Sequence, residues 1–322
     1  MADSVIYYGG PGGPDTSPDW SSNEPNNAWN NYAILFDFDQ DGDTDVFTAN
    51  QGNSPDDPTR PMYGFINNNG SLATVPSWQS AESSLQNFLA FGDYDGDGWA
   101  DLAVSKWSGY ESGIYRNVGG VMQTTPAWTT GDVDTDKGVA WADVDDDGWL
   151  DLSLGHDPTL LYDNSAGALA VAWSSNAAFF GHSEIRFADV DHDGDPDLAE
   201  THFSNGYVNI YLNVDGVLES APSWTYDSST VGTAIAFGDI NGDGLTDLVV
   251  GNSGDVSVKV FYNQLVLCPA DLTDDDEVGS DDLFQLLGVW GPCPGCAEDL
   301  TDDDEVGSDD LFQLLGAWGA CG

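Results

Sequence analysis

One nine-residue phrase, Asp-x-Asp/Asn-x-Asp-Gly-x-x-Asp, constrains this chain more than any other feature. It occurs five times, beginning at Asp37, Asp93, Asp143, Asp189 and Asp239, at steps of 56, 50, 46 and 50 residues. Carboxylates this close repel one another unless a hard cation sits among them, and a ligand set made of oxygen points to Ca²⁺. A period of this length reads as a propeller or a solenoid array.

The flanks of the phrase repeat with it. A short apolar strand precedes each copy: Ala33 to Phe36, Phe88 to Phe91, Val139 to Trp141, Ile185 to Phe187 and Ala234 to Phe237. An aromatic stands two residues ahead of the first Asp in four copies, and Leu35 takes that place in the first. A second strand follows the phrase. A third carries aromatic-x-Asn, at Phe65/Asn67, Tyr115/Asn117, Tyr162/Asn164, Tyr211/Asn213 and Phe261/Asn263. A fourth is marked by Trp20, Trp78, Trp128, Trp173 and Trp224. Four short strands per unit with glycine-rich turns describe a propeller blade, so the fold class expected for residues 1 to 266 is all-β. Aromatics that recur with one period meet the same surroundings each time, so they are read as packing between blades. The Trp20 strand is expected to complete the last blade and close a five-bladed ring, which leaves a strand at Tyr7-Tyr8 in surplus.

The formal net charge is -50, from 56 acids against 6 Lys+Arg. Phosphate binding needs a cationic face, so nucleic acid is excluded as a partner, and an anionic membrane surface is disfavoured for the same reason. The five phrases hold 22 of the acids, and two later loops hold 7 each. An acidic surface adapted to salt would not place its carboxylates at fixed spacing. No run of about 18 apolar residues is present, so no membrane span is expected. The start, Met1-Ala2-Asp3 and then Ser-Val-Ile-Tyr-Tyr, shows no export signal. Either that signal has been removed or the chain is trimmed.

After Asn263 the pattern changes. Residues 271 to 288 recur letter for letter at 299 to 316, each copy an acidic loop followed by a helix. Ser280 is placed to cap the helix, with Asp281 and Asp282 at its positive end. Leu283, Leu286, Leu287 and Trp290 fall at i, i+3, i+4 and i+7, matched by Leu311, Leu314, Leu315 and Trp318. These two apolar stripes are expected to pack face to face. A small α domain of two loop-helix repeats, residues 267 to 322, therefore follows the propeller.

In the five loops, positions 1, 3, 5 and 9 offer side-chain oxygens. These are Asp37, Asp39, Asp41 and Asp45; Asp93, Asp95, Asp97 and Asp101; and Asp143, Asp145, Asp147 and Asp151. Asp189, Asp191, Asp193 and Asp197, then Asp239, Asn241, Asp243 and Asp247, complete the set. The glycine at position 6 permits the sharp turn around an ion. Residues 1 to 266 resemble FG-GAP/VCBS repeats, the integrin α-chain type of β-propeller, most closely at Asp93-Tyr-Asp-Gly-Asp-Gly-Trp-Ala-Asp-Leu. The resemblance implies about five structural Ca²⁺ ions bracing one rim, with the opposite rim left for ligands. It also implies seven blades as the norm, where five loops are present here.

Residues 268 to 322 resemble a dockerin of the Gly-Cys-bounded type. That resemblance implies up to two further Ca²⁺, held by Asp271, Thr273, Asp275 and Asp282 and by Asp299, Thr301, Asp303 and Asp310. It implies partner contact at Ser280, Asp281, Ser308 and Asp309. Asp276 and Asp304 stand where the family has Gly, a position Asp tolerates better than most residues. Cys268, Cys293, Cys296 and Cys321 suggest two disulfides and an oxidising compartment. Either each repeat is bracketed, 268–293 with 296–321, or Cys293 and Cys296 close their own turn and Cys268–Cys321 clasps the ends. A redox role for Cys-x-x-Cys lacks a βαβ context.

Material for catalysis is thin: His156, His182, His192 and His202 with Glu184 and Glu200. Trp29, Arg60, Lys106, Trp107, Tyr110 and Lys137 are read as exposed loop residues suited to a sugar or protein contact. The expected function is a secreted, non-enzymatic binding or scaffold protein, docked through its tail to a cohesin-like or other extracellular protein. The rival readings are a lectin, a polysaccharide lyase or hydrolase, and a self-assembling surface protein.

Overall fold

Short alternating strands broken by glycine-rich turns cannot bury both faces alone, so they assemble as small antiparallel sheets stacked side by side. The computed structural model describes residues 4–10, 13–24, 30–50, 60–107, 109–133, 136–176, 182–202, 206–227, 232–252, 258–264, 270–273, 277–293, 296–301 and 303–320. They fall into two units, 1–263 and 264–322. Cys268, Cys321, Asp275, Asp276 and Trp29 lie outside the described residues.

The first unit holds five blades in a propeller arrangement. Blade one is Asn30–Phe36, Asp45–Asn50, Tyr63–Phe65 and Trp78–Gln79; blade two is Gln86–Gly92, Asp101–Lys106, Gly113–Tyr115 and Trp128–Thr129. Blade three is Val139–Ala142, Asp151–Leu154, Leu160–Asn164 and Leu169–Ser174, and blade four is His182–Ala188, Asp197–His202, Tyr207–Tyr211 and Trp224–Asp227. Blade five has three strands among the described residues, Gly232–Gly238, Asp247–Asn252 and Val258–Phe261. The first strands of successive blades stand beside one another, so they line the inside of the arrangement.

Each tryptophan of a fourth strand packs edge-on against the aromatic of the next blade's third strand. Trp78 meets Tyr115, Trp128 meets Tyr162, Trp173 meets Tyr211 and Trp224 meets Phe261, with ring centroids 5.1 to 6.0 Å apart. Such pairs contribute about 0.5–1.5 kcal/mol beyond the area they bury. Packing between blades is close enough to dictate residue size. A Cβ added at Gly138 of blade three would lie 2.6 Å from the backbone nitrogen of Ile185 in blade four.

Trp20 obeys the same rule with a different outcome. Its ring packs edge-on against Phe65 of blade one at 5.4 Å, and its Nε1 donates to the Leu72 carbonyl. Its strand, Trp20–Ser21, pairs with Val5–Ile6 in a two-stranded sheet ahead of blade one. The expected completion of blade five by Trp20 therefore does not form. A tryptophan on a fourth strand must face the following blade, and the blade after Trp20 is blade one. Tyr7 and Tyr8 lie past the paired residues and are exposed.

This placement explains the odd residue ahead of the first loop. Phe91, Trp141 and Phe187 each pack into a cluster with the blade before their own. Leu35, at the equivalent place in blade one, is 63 % exposed. At the other end Ile240 of blade five is 47 % exposed, whereas Phe38, Tyr94 and Val144 at the same loop position are buried. Leu35 on the first strand of blade one and Ile240 in the loop of blade five thus lack the neighbouring-blade cover that their counterparts have, while Trp20 and Ile6 cover the outer part of blade one around Phe65.

The second unit carries helices Ser280–Gly288 and Ser308–Gly316 and two short ladders, Glu277–Val278 with Gly319–Ala320 and Gly291–Pro292 with Glu305–Val306. Gly279, not Ser280, is the N-cap, and Asp282 accepts the Gly279 N–H. Leu286 and Leu314 are fully buried with Ala270, Val278 and Val306. The predicted face-to-face stripes form only in part, because Leu287, Trp290, Leu315 and Trp318 stay about half exposed. Each tryptophan falls beyond the last helical residue, so helical spacing does not govern it. Cys293 and Cys296 are bonded to each other, so the bracketing pair 268–293 is not formed.

Candidate metal loops

In all five loops the first Asp turns its carboxylate back onto the loop's own backbone. Asp37, Asp93 and Asp143 each accept the N–H groups of positions 5 and 6, at 2.8 to 3.1 Å. Asp189 and Asp239 accept from Gly194 and Gly244 in the same way. The fifth-position Asp accepts the N–H of position 7. The glycine at position 6 adopts φ between +87° and +98°, and a Cβ there would touch nothing. Glycine is therefore set by backbone conformation and not by space. The loop so wound brings oxygens of Asp37, Asp39 and Asp45 within 4.8 Å of one another, as it does for Asp93, Asp95 and Asp101 and for Asp143, Asp145 and Asp147.

The loops at both ends of this series lie in segments that match the FG-GAP-like repeat family, residues 37–104 and 189–250. The chain carries FG-GAP-like repeats. No curated protein matches it. A crystal structure of BBS1N in complex with ARL6DN, soaked with mercury, superposes with a TM-score of 0.53 at 13% identity, covering 82% of this chain and 75% of that one. The corresponding lead-soaked structure gives a TM-score of 0.43 at 13% identity, over 74% and 80%. The first of these is a likeness of fold.

The ninth residue of each acidic loop does more than its sequence position indicated. Asp45, Asp101, Asp151, Asp197 and Asp247 are all buried. One oxygen of each accepts the N–H of loop position 2, and the other accepts the N–H of the Asn in aromatic-x-Asn. That Asn then reaches backwards with its side chain. Asn117, Asn164, Asn213 and Asn263 donate from Nδ2 to the position-2 carbonyls of Phe38, Tyr94, Val144 and Val190 in the preceding blade, at 2.6 to 2.8 Å. Loop, blade and neighbour are thus tied through one carboxylate. The sequence held the signal, an amide repeated five times at one strand position, but not its partner.

Burial pushes Asp45, Asp151 and Asp197 up to about 6 and Asp101 up to about 7. Burial first, and then the neighbouring carboxylates, also raises Asp39, Asp145 and Asp191. Oδ1 of Asp39, Asp95, Asp189 and Asp191 is buried without a hydrogen-bond partner. Such orphaned anionic oxygens, one in each of loops one and two and two in loop four, fit a hard divalent cation, which would accept their lone pairs and cancel the repulsion within the loop. Loop two differs: Arg116 lays its guanidinium on Asp95 and Asp97 and supplies a countercharge from within the protein.

The second tail loop follows the same winding. Asp299 accepts the N–H groups of Asp303 and Asp304, and Asp303 accepts that of Glu305. Asp304 adopts φ +66°, as expected of an Asp standing for Gly. Thr273 and Thr301 donate their hydroxyls to Asp282 and Asp310. Although burial opposes it, those bonds and the helix-start N–H groups hold both carboxyls below their usual range. Asp271 is half-buried, while Ser280, Asp281, Ser308 and Asp309 lie at or beside the two helix starts, with both aspartates exposed.

The rim opposite the loops is built from the far ends of the first two strands of each blade. Among the described side chains the histidines do not gather there into one set. His202 is buried and bonds to Glu200, whose carboxylate also takes Asn209, Tyr211 and Thr159. His156 faces Asp136, Glu184 pairs with Arg186, and His192 sits exposed in its loop. The side chain of His182 lies outside the described residues. Lys106, read as an exposed loop residue, is fully buried against Glu82 and Tyr115, because the second strand runs on to include it. Trp107, Tyr110 and Lys137 are half-buried.

Proposed function

We propose that this protein is a calcium-braced binding or scaffold propeller, acting outside the cell and docked to another protein through its tail. The observation that carries the reading is a division between the two rims. On the loop rim the same carboxylates, the same turn and the same Asn tie recur blade after blade, which is the signature of structure. On the opposite rim equivalent positions carry different residues: Asn30 and Asn50, Gln86 and Lys106, Asp136 and His156. Variation on a rigid frame is where a binding surface resides. FG-GAP-like repeats and a propeller fold support a platform for partners.

For the tail, exposed Phe284 and Trp290, repeated as Phe312 and Trp318, support a protein partner. About five Ca²⁺ would be held in the propeller by positions 1, 3, 5 and 9, and up to two by the tail loops. When bound, the ion cancels the charge that these loops concentrate. The test is binding of the full chain to a panel of cohesin-type domains in Ca²⁺ and in chelator. Calcium-dependent binding lost on joint substitution of Ser280, Asp281, Ser308 and Asp309 is the expected result. Binding that ignores both calcium and those four residues would refute the docking role. A glycan array separates the lectin reading, which needs saccharide binding by the propeller.

A further inference from the structure

We propose a second kind of metal site, for a first-row divalent cation such as Zn²⁺, formed by Asp132, Asp136 and His156 on the rim opposite the calcium loops. The site arises from one repeated juxtaposition. Seven residues before each loop and thirteen after its first Asp, two residues face each other across the first and second strands. They are Asn30 and Asn50, Gln86 and Lys106, His182 and His202, and Gly232 and Asn252, each a register pair. In blade three the same two places hold Asp136 and His156. Repetition fixes the geometry, and blade three alone sets a carboxylate against an imidazole at these two places.

Asp136 is buried at 1 % exposure, and its Oδ1 lies 2.8 Å from His156 Nδ1. Ser112 donates its hydroxyl to Asp136 Oδ2, which fixes the carboxylate and leaves Oδ1 turned to the imidazole. Asp132 joins from the loop ahead, so that one atom from each of the three lies within 4.8 Å of the others. Asp132 Oδ1 is itself buried without a hydrogen-bond partner. The Asp132 oxygen beside the Asp–His pair has no hydrogen-bond donor, and a cation bound by all three would take its lone pair. An imidazole nitrogen with two carboxylates suits zinc or cobalt, whereas Ca²⁺ takes oxygen alone. The His156 side chain keeps 15 % exposure, which leaves a way in and a place for water on the ion.

The test uses the full chain saturated with Ca²⁺, titrated with Zn²⁺ by calorimetry and with Co²⁺ by visible absorption. One equivalent is expected to bind over the calcium background. His156→Ala and Asp132→Asn should each weaken it at least tenfold while calcium content, read by atomic emission, stays unchanged. Asp132→Asn leaves the buried pair intact, so it decides the matter if His156→Ala fails to fold. No zinc bound in excess calcium, or zinc bound equally by wild type and Asp132→Asn, would overturn the site.

Discussion

Asn117 of blade two donates its Nδ2 to the carbonyl of Phe38 in the loop of blade one, 2.7 Å away, and both residues are buried. Removing the amide leaves a buried carbonyl with no donor, which costs about 1–3 kcal/mol. Asn117→Ala should lower stability by that amount in Ca²⁺. Asn67 donates instead to Thr44 of its own loop, at a more exposed position, so Asn67→Ala should cost less. Urea melts of the two variants compare them directly.

Calcium removal should destabilise the propeller strongly. The loops hold carboxylates whose mutual repulsion a bound ion relieves, with Arg116 doing so in part for loop two, and one site filled at a thousand times its dissociation constant contributes about 4.1 kcal/mol. Excess chelator is expected to lower the melting temperature by tens of degrees; an unchanged melting curve would contradict a structural role for the ions.

The metal-free protein should show an inverted pH response. Burial raises Asp101 to about 7 and Asp45, Asp151 and Asp197 to about 6, above their unfolded value of 3.8. An acid that holds its proton more tightly when folded adds stability while protonated, and that stability fades as pH rises through the folded value. Stability without metal should therefore fall from pH 5 to pH 8. Calcium binding must displace those protons, so affinity should rise over the same interval. Melting curves at both pH values, with and without Ca²⁺, check the crossing.

Gly138→Ala should destabilise blade three against blade four. The added Cβ would press on the Ile185 backbone at 2.6 Å, a neighbour that cannot rotate away. Overpacking of this kind costs typically about 1–3 kcal/mol. A thermal melt showing no loss would mean that the two blades separate freely.

Asp304→Gly in the tail should act in the opposite direction. Asp304 adopts φ +66°, strained for a residue with a Cβ, while its N–H bond to Asp299 needs no side chain. Relief of about 1 kcal/mol is expected, together with tighter calcium binding by that loop. Calorimetry on the wild type and the variant measures both.

Much of the fold was legible because repetition amplifies weak signals. Leu35 for an aromatic and Trp20 without its own loop were visible as irregularities, yet their cause lay in which blade each one faces. Lys106 read as a loop residue because a lysine seldom ends a buried strand, and only Glu82 and Tyr115, brought near by folding, make it tolerable there. Ser280 read as a cap because residue type favours it, whereas the backbone turn places Gly279 at that point.

The sequence by itself determined the repeating unit: strand, acidic loop, strand, and the glycine whose φ the loop requires. Those are local properties, set by side-chain alternation, charge spacing and backbone sterics within some twenty residues. Tertiary structure decided the partners. The Asp at position 9 finds the Asn of its own blade, that Asn finds the carbonyl of the blade before, and Trp20 finds Phe65 instead of the last blade. Such choices depend on which surfaces meet after the sheets stack, and a side chain's type does not specify which neighbour will stand within 3 Å.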